Sequence, residues 1–295
     1  MENSKNMPDF LAMTIEFMNR SNPITPENAY LNREDGLYYC KKCHTPREVI
    51  EPFPVPDGRP LKHNRACDCD VARQEAEKKR EEERKKAEHI ISLRYDAFPS
   101  CKQSSNDNSM RNWTFENDKG YQPDIRRKAL NFVEDFDTWR KGGKGLLFYG
   151  DVGTGKSYMA ACIANALIDR EIPVLMTDFA TIANTVWNIQ DKQGYYESLN
   201  RYPLLIIDDL GVQRENRYMD EIVFNVINMR ANSGLPLIVT TNLSAMEILS
   251  EETKGGKRIF SRLTRMCVMV EVKGADLRQI TGFDEMAEFT ALLNK

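Results

Sequence analysis

Gly150-Asp151-Val152-Gly153-Thr154-Gly155-Lys156-Ser157 decides how the rest of the chain is read. The spacing is G-x-x-x-x-G-K-[ST], and its flanks matter as much as the match. Leu146-Leu147-Phe148-Tyr149 leads in, short and apolar as a buried strand is. Tyr158 to Arg170 leads out, with Ala160, Ala161, Ile163, Ala164, Leu167 and Ile168 making a helix apolar on most of its surface. Strand, glycine-rich turn and helix together cradle phosphate. The glycines let backbone N–H groups face inward, and the helix N-terminus adds partial positive charge. Gly150 to Tyr158 is therefore the expected nucleotide-binding segment. Lys156 reaches the β- and γ-phosphates, and the Ser157 hydroxyl binds Mg²⁺. The chain is expected to bind a nucleoside triphosphate.

Downstream, Leu204-Leu205-Ile206-Ile207-Asp208-Asp209 is an apolar strand ending in two carboxylates. Such a strand end is where an open α/β sheet puts its site. Position separates the two acids: Asp208 suits the Mg²⁺ shell, and Asp209 can orient and polarise an attacking water. Leu237 to Thr241 is a further buried strand, and Asn242 at its polar end can hydrogen-bond a γ-phosphate or that water. Pro173 to Met176 and Val268 to Val272 complete a set of strands, with helices expected at Phe179 to Ile189 and Arg217 to Arg230. The alternation predicts an α/β fold around a parallel sheet. Lys257 to Leu263 reads as a helix with Arg258 and Arg262 on one face. Two readings stand for that face, a solvated basic surface and an arginine finger offered to a neighbouring copy's γ-phosphate. A tail with Phe283, Met286, Phe289 and Leu293 on a helix follows.

The whole chain sets bounds on these local readings. Its 295 residues suffice for two domains. A net charge of −3 and a pI near 5.8 supply no global basic field, so any nucleic-acid contact is local. No apolar run is long enough to span a membrane, and Met1 to Arg20 lacks a basic segment ahead of its apolar part. The cytoplasm is the expected location. Seven cysteines, an odd count, point to metal ligands or free thiols over a disulfide framework.

Four of them fall in Cys40-Lys41-Lys42-Cys43 and Cys67-Asp68-Cys69. Two cysteines two apart, after the strand-like Leu37-Tyr38-Tyr39, suit a knuckle that offers both sulfurs to one tetrahedral Zn²⁺. The second pair is tighter than C-x-x-C, and His44 and His63 stand as alternative ligands. Between the pairs, Pro52 to Gly58 has almost no helix potential. A stretch so short and proline-rich can hardly bury a core, which makes a metal the natural staple. Asp9 to Asn19 reads as a helix with more apolar residues than one stripe needs, either packed on its own domain or docking a partner protein. Val71 to Glu88 is a mixed-charge, solvated helix without an apolar stripe, and Ser104 to Ser109 is a polar link. The expected domains are 1–70, a linker at 71–110, and 111–295. Trp113 and Phe115 either line an adenine pocket or pack the core. Asp124 to Trp139 reads as one amphipathic helix.

In order and spacing these signals resemble the AAA+ ATPases of the DnaC/DnaI helicase-loader and IstB group. The likeness rests on the phosphate loop, Ile207-Asp208-Asp209-Leu210-Gly211-Val212-Gln213, Thr241-Asn242, the box from Lys257 to Met266, and Gly274-Ala275-Asp276-Leu277-Arg278. It covers Trp113 to Arg278, and the four cysteines are similar to the zinc-binding N-terminal domains of some loaders. It implies a P-loop core on a five-stranded parallel sheet with little or no helical lid, and a slow, switch-like, Mg²⁺-dependent ATPase. Asn242 would be the first sensor, Arg262 the finger with Arg258 beside it, and Arg278 the second sensor. His44 stands where similar proteins often carry Gly, and Asp209 where many AAA+ proteins carry Glu. The implied partners are a DnaB-type replicative helicase, gripped by the N-terminal domain, single-stranded DNA, and further copies of the chain meeting through the ATP site. Strand contacts are expected between Phe179 and Tyr196, with Trp187 and Tyr195 as candidates. Two alternatives stand beside helicase loading: an IstB-type transposition-helper ATPase, and a zinc-dependent DNA-binding regulator that senses ATP.

Overall fold

The computed structural model describes residues 7–51, 62–99, 109–211, 217–250 and 254–279, with 290 and 293. The proline-rich loop at Pro52 to Gly58, the polar link up to Asn108, and the tail from Phe283 to Phe289 lie outside the described residues. The chain divides into two compact units, Met1–Lys86 and Ala87–Lys295.

In the first unit, β1 (Ala29–Leu31) pairs antiparallel with β2 (Tyr38–Cys40), and β3 (Glu48–Ile50) with β4 (Lys62–Asn64). Three-residue strands cannot enclose an apolar core. Accordingly the buried residues here are few, Ala29, Cys40, Arg47 and Cys67 among them. Helix α1 (Met7–Ser21) lies against β4, where the Asn64 backbone N–H donates to the Asn19 side chain at 2.7 Å. Its two expected roles divide by face. Ile15 and Met18 are half-buried, whereas Met13 and Phe17 are exposed by 70% and 71%. The charged helix is longer than its sequence suggests, running as α2 over Asp68–Ala97. The division between the units falls within it. Its last turns gain an apolar side, with Ile90, Leu93 and Ala97 packed into the core of the second unit.

The second unit is built on a five-stranded, all-parallel sheet in the order β6-β7-β8-β5-β9. The strands are β5 (Gly145–Tyr149), β6 (Val174–Asp178), β7 (Leu204–Leu210), β8 (Leu237–Thr241) and β9 (Cys267–Glu271). Both faces are covered, which explains strands that are apolar almost throughout. Along β5, Leu146 and Phe148 face one layer and Leu147 the other, the period of two that a strand imposes. One layer holds α3 (Pro123–Glu134), α4 (Phe136–Gly142) and α5 (Lys156–Asp169); the other holds α6 (Phe179–Asn188), α7 (Lys192–Ser198), α8 (Arg217–Ser233), α9 (Ala245–Ser250) and α10 (Lys254–Met266).

The helix expected over Asp124 to Trp139 is two helices, separated at Asp135. The break sets the second helix so that Phe136 and Trp139 both pack on Phe132, at ring-centroid distances of 5.8 and 5.1 Å. Side-chain packing has overridden a continuous helical period. On the other layer, the fully buried Arg230 donates to the carbonyls of Tyr202, Pro203 and Pro236 at 2.8–3.1 Å. Burial draws its pKa down to about 9, so these carbonyls do what a carboxylate would otherwise do for a buried cation. The bonds pin the end of α8 to the loops that lead into β7 and β8.

With β5 between β8 and β9, the C-terminal ends of β5, β7 and β8 open on one crevice. In an open parallel sheet such an edge is where ligands bind.

Candidate nucleotide site and cysteine cluster

The turn after β5 takes its shape from glycines at positive φ. Gly155, at φ +95°, opens α5. At Gly153, φ +79°, a Cβ would stand 1.9 Å from Asp276 Oδ1, so a side chain there would strain the backbone and displace that carboxylate. The buried Thr154 locks the turn by donating its hydroxyl to Asp151 O at 2.9 Å. Asp151 and Val152 are exposed on its outer side. Lys156 is buried, and its Nζ donates to Gly150 O at 2.9 Å and Asp151 O at 2.5 Å. Burial lowers its pKa, against the raising pull of Asp209, Asp151 and Asp208. The ammonium is thus held by the loop it belongs to.

A cavity of about 570 Å³ opens in front of this loop. It is lined by Gly153, Gly155, Lys156, Ser157 and Tyr158, by Asp209 and Asn242 from the ends of β7 and β8, and by Arg278 beyond β9. With the stretch from Asn112 to Gln122, five segments far apart in sequence supply one cavity. Gly150, Asp151, Val152 and Thr154 build the turn without lining it.

The two acids are separated by the backbone. Asp208 is the last β7 residue paired with β6 and is buried, which raises its pKa; hydrogen bonds from Thr240 and Ser157 pull the other way. Asp209 sits at φ +55° where the pairing of β7 with β8 slips between Ile207 and Leu210. This left-handed turn breaks the strand alternation and sends an exposed carboxylate into the cavity, at a conformational cost on the order of 1–3 kcal/mol. Short polar side chains such as Asp tolerate that region better than most, a physical reason for Asp where a longer acid would strain. Asn242 Nδ2 donates to Asp209 Oδ1 at 3.5 Å. With Ser157 and Asp208 side by side, the donor set fits Mg²⁺: a hydroxyl and a carboxylate, both oxygen.

Thr240 joins the pair, and sequence reasoning passed over it. Its Oγ1 accepts the Asp209 N–H at 2.9 Å and donates to Asp208 Oδ1 at 2.5 Å. Thr240→Val keeps the shape, strands the Asp209 N–H and leaves Asp208 with its Ser157 bond alone. It is expected to lower stability by about 2 kcal/mol and to reduce ATP turnover. Thermal unfolding and phosphate release measure the two effects, and a variant matching wild type in both would refute the coupling.

Trp113 and Phe115 part company. Phe115 is buried in the core, whereas Trp113 is half-buried, stacks near Tyr158 at 5.5 Å and lines the cavity. Beside them the Asp118 carboxylate is 5% exposed, pairs with Arg126 at 3.4 Å, and has no hydrogen-bond partner on Oδ2. Gln122 also lines the cavity. Nothing in the local sequence marked Asp118 or Gln122.

Arg258 and Arg262 do not line the cavity. Arg258 is exposed on α10; Arg262 is half-buried, its guanidinium stacked 4.5 Å over the Phe224 ring of α8.

In the first unit, the sulfurs of Cys40, Cys43, Cys67 and Cys69 all lie within 4.8 Å of one another. Tetrahedral Zn²⁺ with Zn–S near 2.3 Å needs sulfurs about 3.8 Å apart, and Cys40–Cys69 stands at 3.6 Å. The alternative ligands are engaged elsewhere: His63 with Glu51 at 2.7 Å, His44 with the Tyr30 hydroxyl at 3.3 Å. His44 has φ +56°, a backbone that suits glycine. Thr45 draws Cys43 down to about 5 through its hydroxyl and backbone N–H, while burial pushes Cys67 up. The nearly buried Arg47 approaches Cys67 Sγ at 3.5 Å and Asp70 at 2.8 Å. A metal fits this cluster.

Fold and cavity together define a P-loop NTPase with the AAA+ sheet order. The chain belongs to the family of IstB-like ATP binding proteins, whose profile matches residues 81–282. It is 33% identical over 141 residues to the replicative helicase loader DnaC of Escherichia coli (strain K12), a match covering 46% of this chain and 55% of that protein. It is 27% identical over 164 residues to the replicative helicase loader DnaI of Bacillus subtilis (strain 168), covering 51% and 52%. The chain thus spans about half the length of the curated relatives it matches. The crystal structure of the DnaC helicase loader aligns with a TM-score of 0.45 at 24% identity, over 50% of this chain and 87% of that chain. Among the described residues, no helix is long and apolar enough to cross a membrane.

Proposed function

We propose that this protein is an ATP-dependent loader that places a DnaB-type replicative helicase on single-stranded DNA during replication initiation. The observation that carries the reading is the shared cavity: Lys156, Asp209, Asn242 and Arg278 converge on it from four segments. Lys156 binds the β- and γ-phosphates, Asn242 senses the γ-phosphate, and Asp209 orients and polarises the attacking water. Mg²⁺, held by Ser157 and Asp208, supplies charge neutralisation on the phosphates when bound. The cytoplasm, where replication machinery works in such relatives' hosts, is the proposed location.

Self-association fits the placement of Arg262. Stacked on Phe224 and outside its own chain's cavity, it is held ready to reach a neighbour's triphosphate, with Arg258 beside it. For single strands, Trp187 is 72% exposed, meets Tyr218 edge-on at 5.5 Å, and Lys192 lies 5.6 Å over the Tyr218 ring. Aromatic faces next to a cation suit stacked bases and their backbone. Tyr195, the other candidate, is half-buried against the core. The zinc-bearing unit grips the helicase, with Met13 and Phe17 exposed on α1 for contact.

A pull-down from the source cell, with and without a non-hydrolysable ATP analogue, tests the reading. A replicative helicase recovered in an analogue-dependent amount is the expected result; a transposase in its place overturns it. In parallel, Arg262→Ala is expected to bind ATP normally and to lose at least about tenfold in turnover. Unchanged phosphate release in that variant would remove the finger in trans.

A further inference from the structure

Three stretches of the second unit meet at one side-chain amide. Gln122 stands directly before Pro123 at the start of α3. Its Nε2 donates to Thr154 O in the phosphate loop at 3.2 Å and to Lys273 O, just past β9, at 2.8 Å. An NH₂ group has two hydrogens, and both are used. The fit is close: at Gly274, φ +152°, an added Cβ would stand 2.7 Å from that nitrogen.

Two further ties hold the same segment to the loop. The Leu277 N–H donates to Gly153 O at 2.9 Å, and the Asp276 carboxylate occupies the space over Gly153 that a side chain would need. Asp276 Oδ1 also accepts the Arg278 N–H at 3.0 Å. Residues 273–278 therefore lie along the phosphate loop, and Arg278 lines the cavity with Lys156, Ser157 and Asp209. Arg278 is close enough for its charge to lower the Lys156 pKa. Residues 272–276 carry no helix or strand of their own, so the position of the guanidinium depends on these few bonds.

We propose that Gln122 is a positioning residue: its amide latches the segment 273–278 to the phosphate loop and thereby sets where Arg278 stands against the triphosphate. Gln122 is the only one of these ties made by a side chain from outside both segments, so it joins the N-terminal flank of the core to both sides of the cavity. The inference rests on the triphosphate occupying this cavity, as proposed above.

The test is a double-mutant cycle on the full chain, reading affinity for a non-hydrolysable ATP analogue. Gln122→Met keeps length and charge and removes both donors. It is expected to weaken the analogue about tenfold, the scale of two modest hydrogen bonds. In an Arg278→Ala background the same substitution is expected to add nothing, because its effect runs through the arginine. Additive losses, or Gln122→Met at wild-type affinity, would overturn the proposal. Should Gln122→Met not fold by its thermal unfolding curve, Gln122→Ala takes its place in the cycle. Lys156→Ala separates the two ideas: if it binds the analogue like wild type, the nucleotide reading itself has failed, whereas Lys156-dependent binding with an additive cycle removes only the latch.

Discussion

Asp209→Asn is expected to bind ATP like wild type and to turn it over about a hundred- to a thousandfold more slowly. The substitution is nearly isosteric. Asn accepts the φ of +55° as readily as Asp does, and the backbone N–H at this position keeps its bond to Thr240 Oγ1. What disappears is the negative charge and the basicity that orient and polarise water. Lys156→Ala fails differently. It removes a buried ammonium aimed at the loop and is expected to abolish tight binding itself, with turnover falling as a consequence. Phosphate release at saturating ATP, beside direct binding of a non-hydrolysable analogue, distinguishes the two variants. Turnover of Asp209→Asn within about twofold of wild type would remove the carboxylate from the chemistry.

Cys67→Ser is expected to unfold the first unit while the second still binds ATP. The four sulfurs are its centre, around strands of three residues each, and little apolar surface is buried there. Structural zinc contributes on the order of 10–16 kcal/mol in small domains of this kind. Hydrophobic burial on that scale is not available to this unit. Wild type should carry one zinc per chain by elemental analysis, and a strong chelator should reproduce the variant's loss of exchange protection over 29–51. The ATPase unit has its own two apolar layers, so its nucleotide affinity should hold. A folded, metal-free first unit would contradict the assignment.

The parts of this protein legible in its sequence are those encoded by contiguous spacing. The phosphate loop is read from eight successive residues, because glycine conformations and a helix N-terminus are properties of neighbours along the chain. The Asp208-Asp209 pair is read from its place at the end of an apolar run, and the cysteine pairs from separations of one or two residues. Even the α/β class follows from the alternation of apolar strands and helices.

Tertiary structure alone decided the rest. Gln122 acts on carbonyls 32 and 151 positions away, and Thr240 on acids 31 and 32 positions away. No residue near either one hints at these partners. The left-handed turn at Asp209 comes from a slipped pairing between β7 and β8, not from the residues beside it. Trp113 and Phe115 have the same local character, and only tertiary packing leaves Trp113 half-buried between core and cavity while Phe115 is buried. Short-range geometry is carried by the chain from residue to residue, so a sequence displays it. Contacts that close large loops are fixed by how whole layers pack, and no window of sequence contains both of their ends.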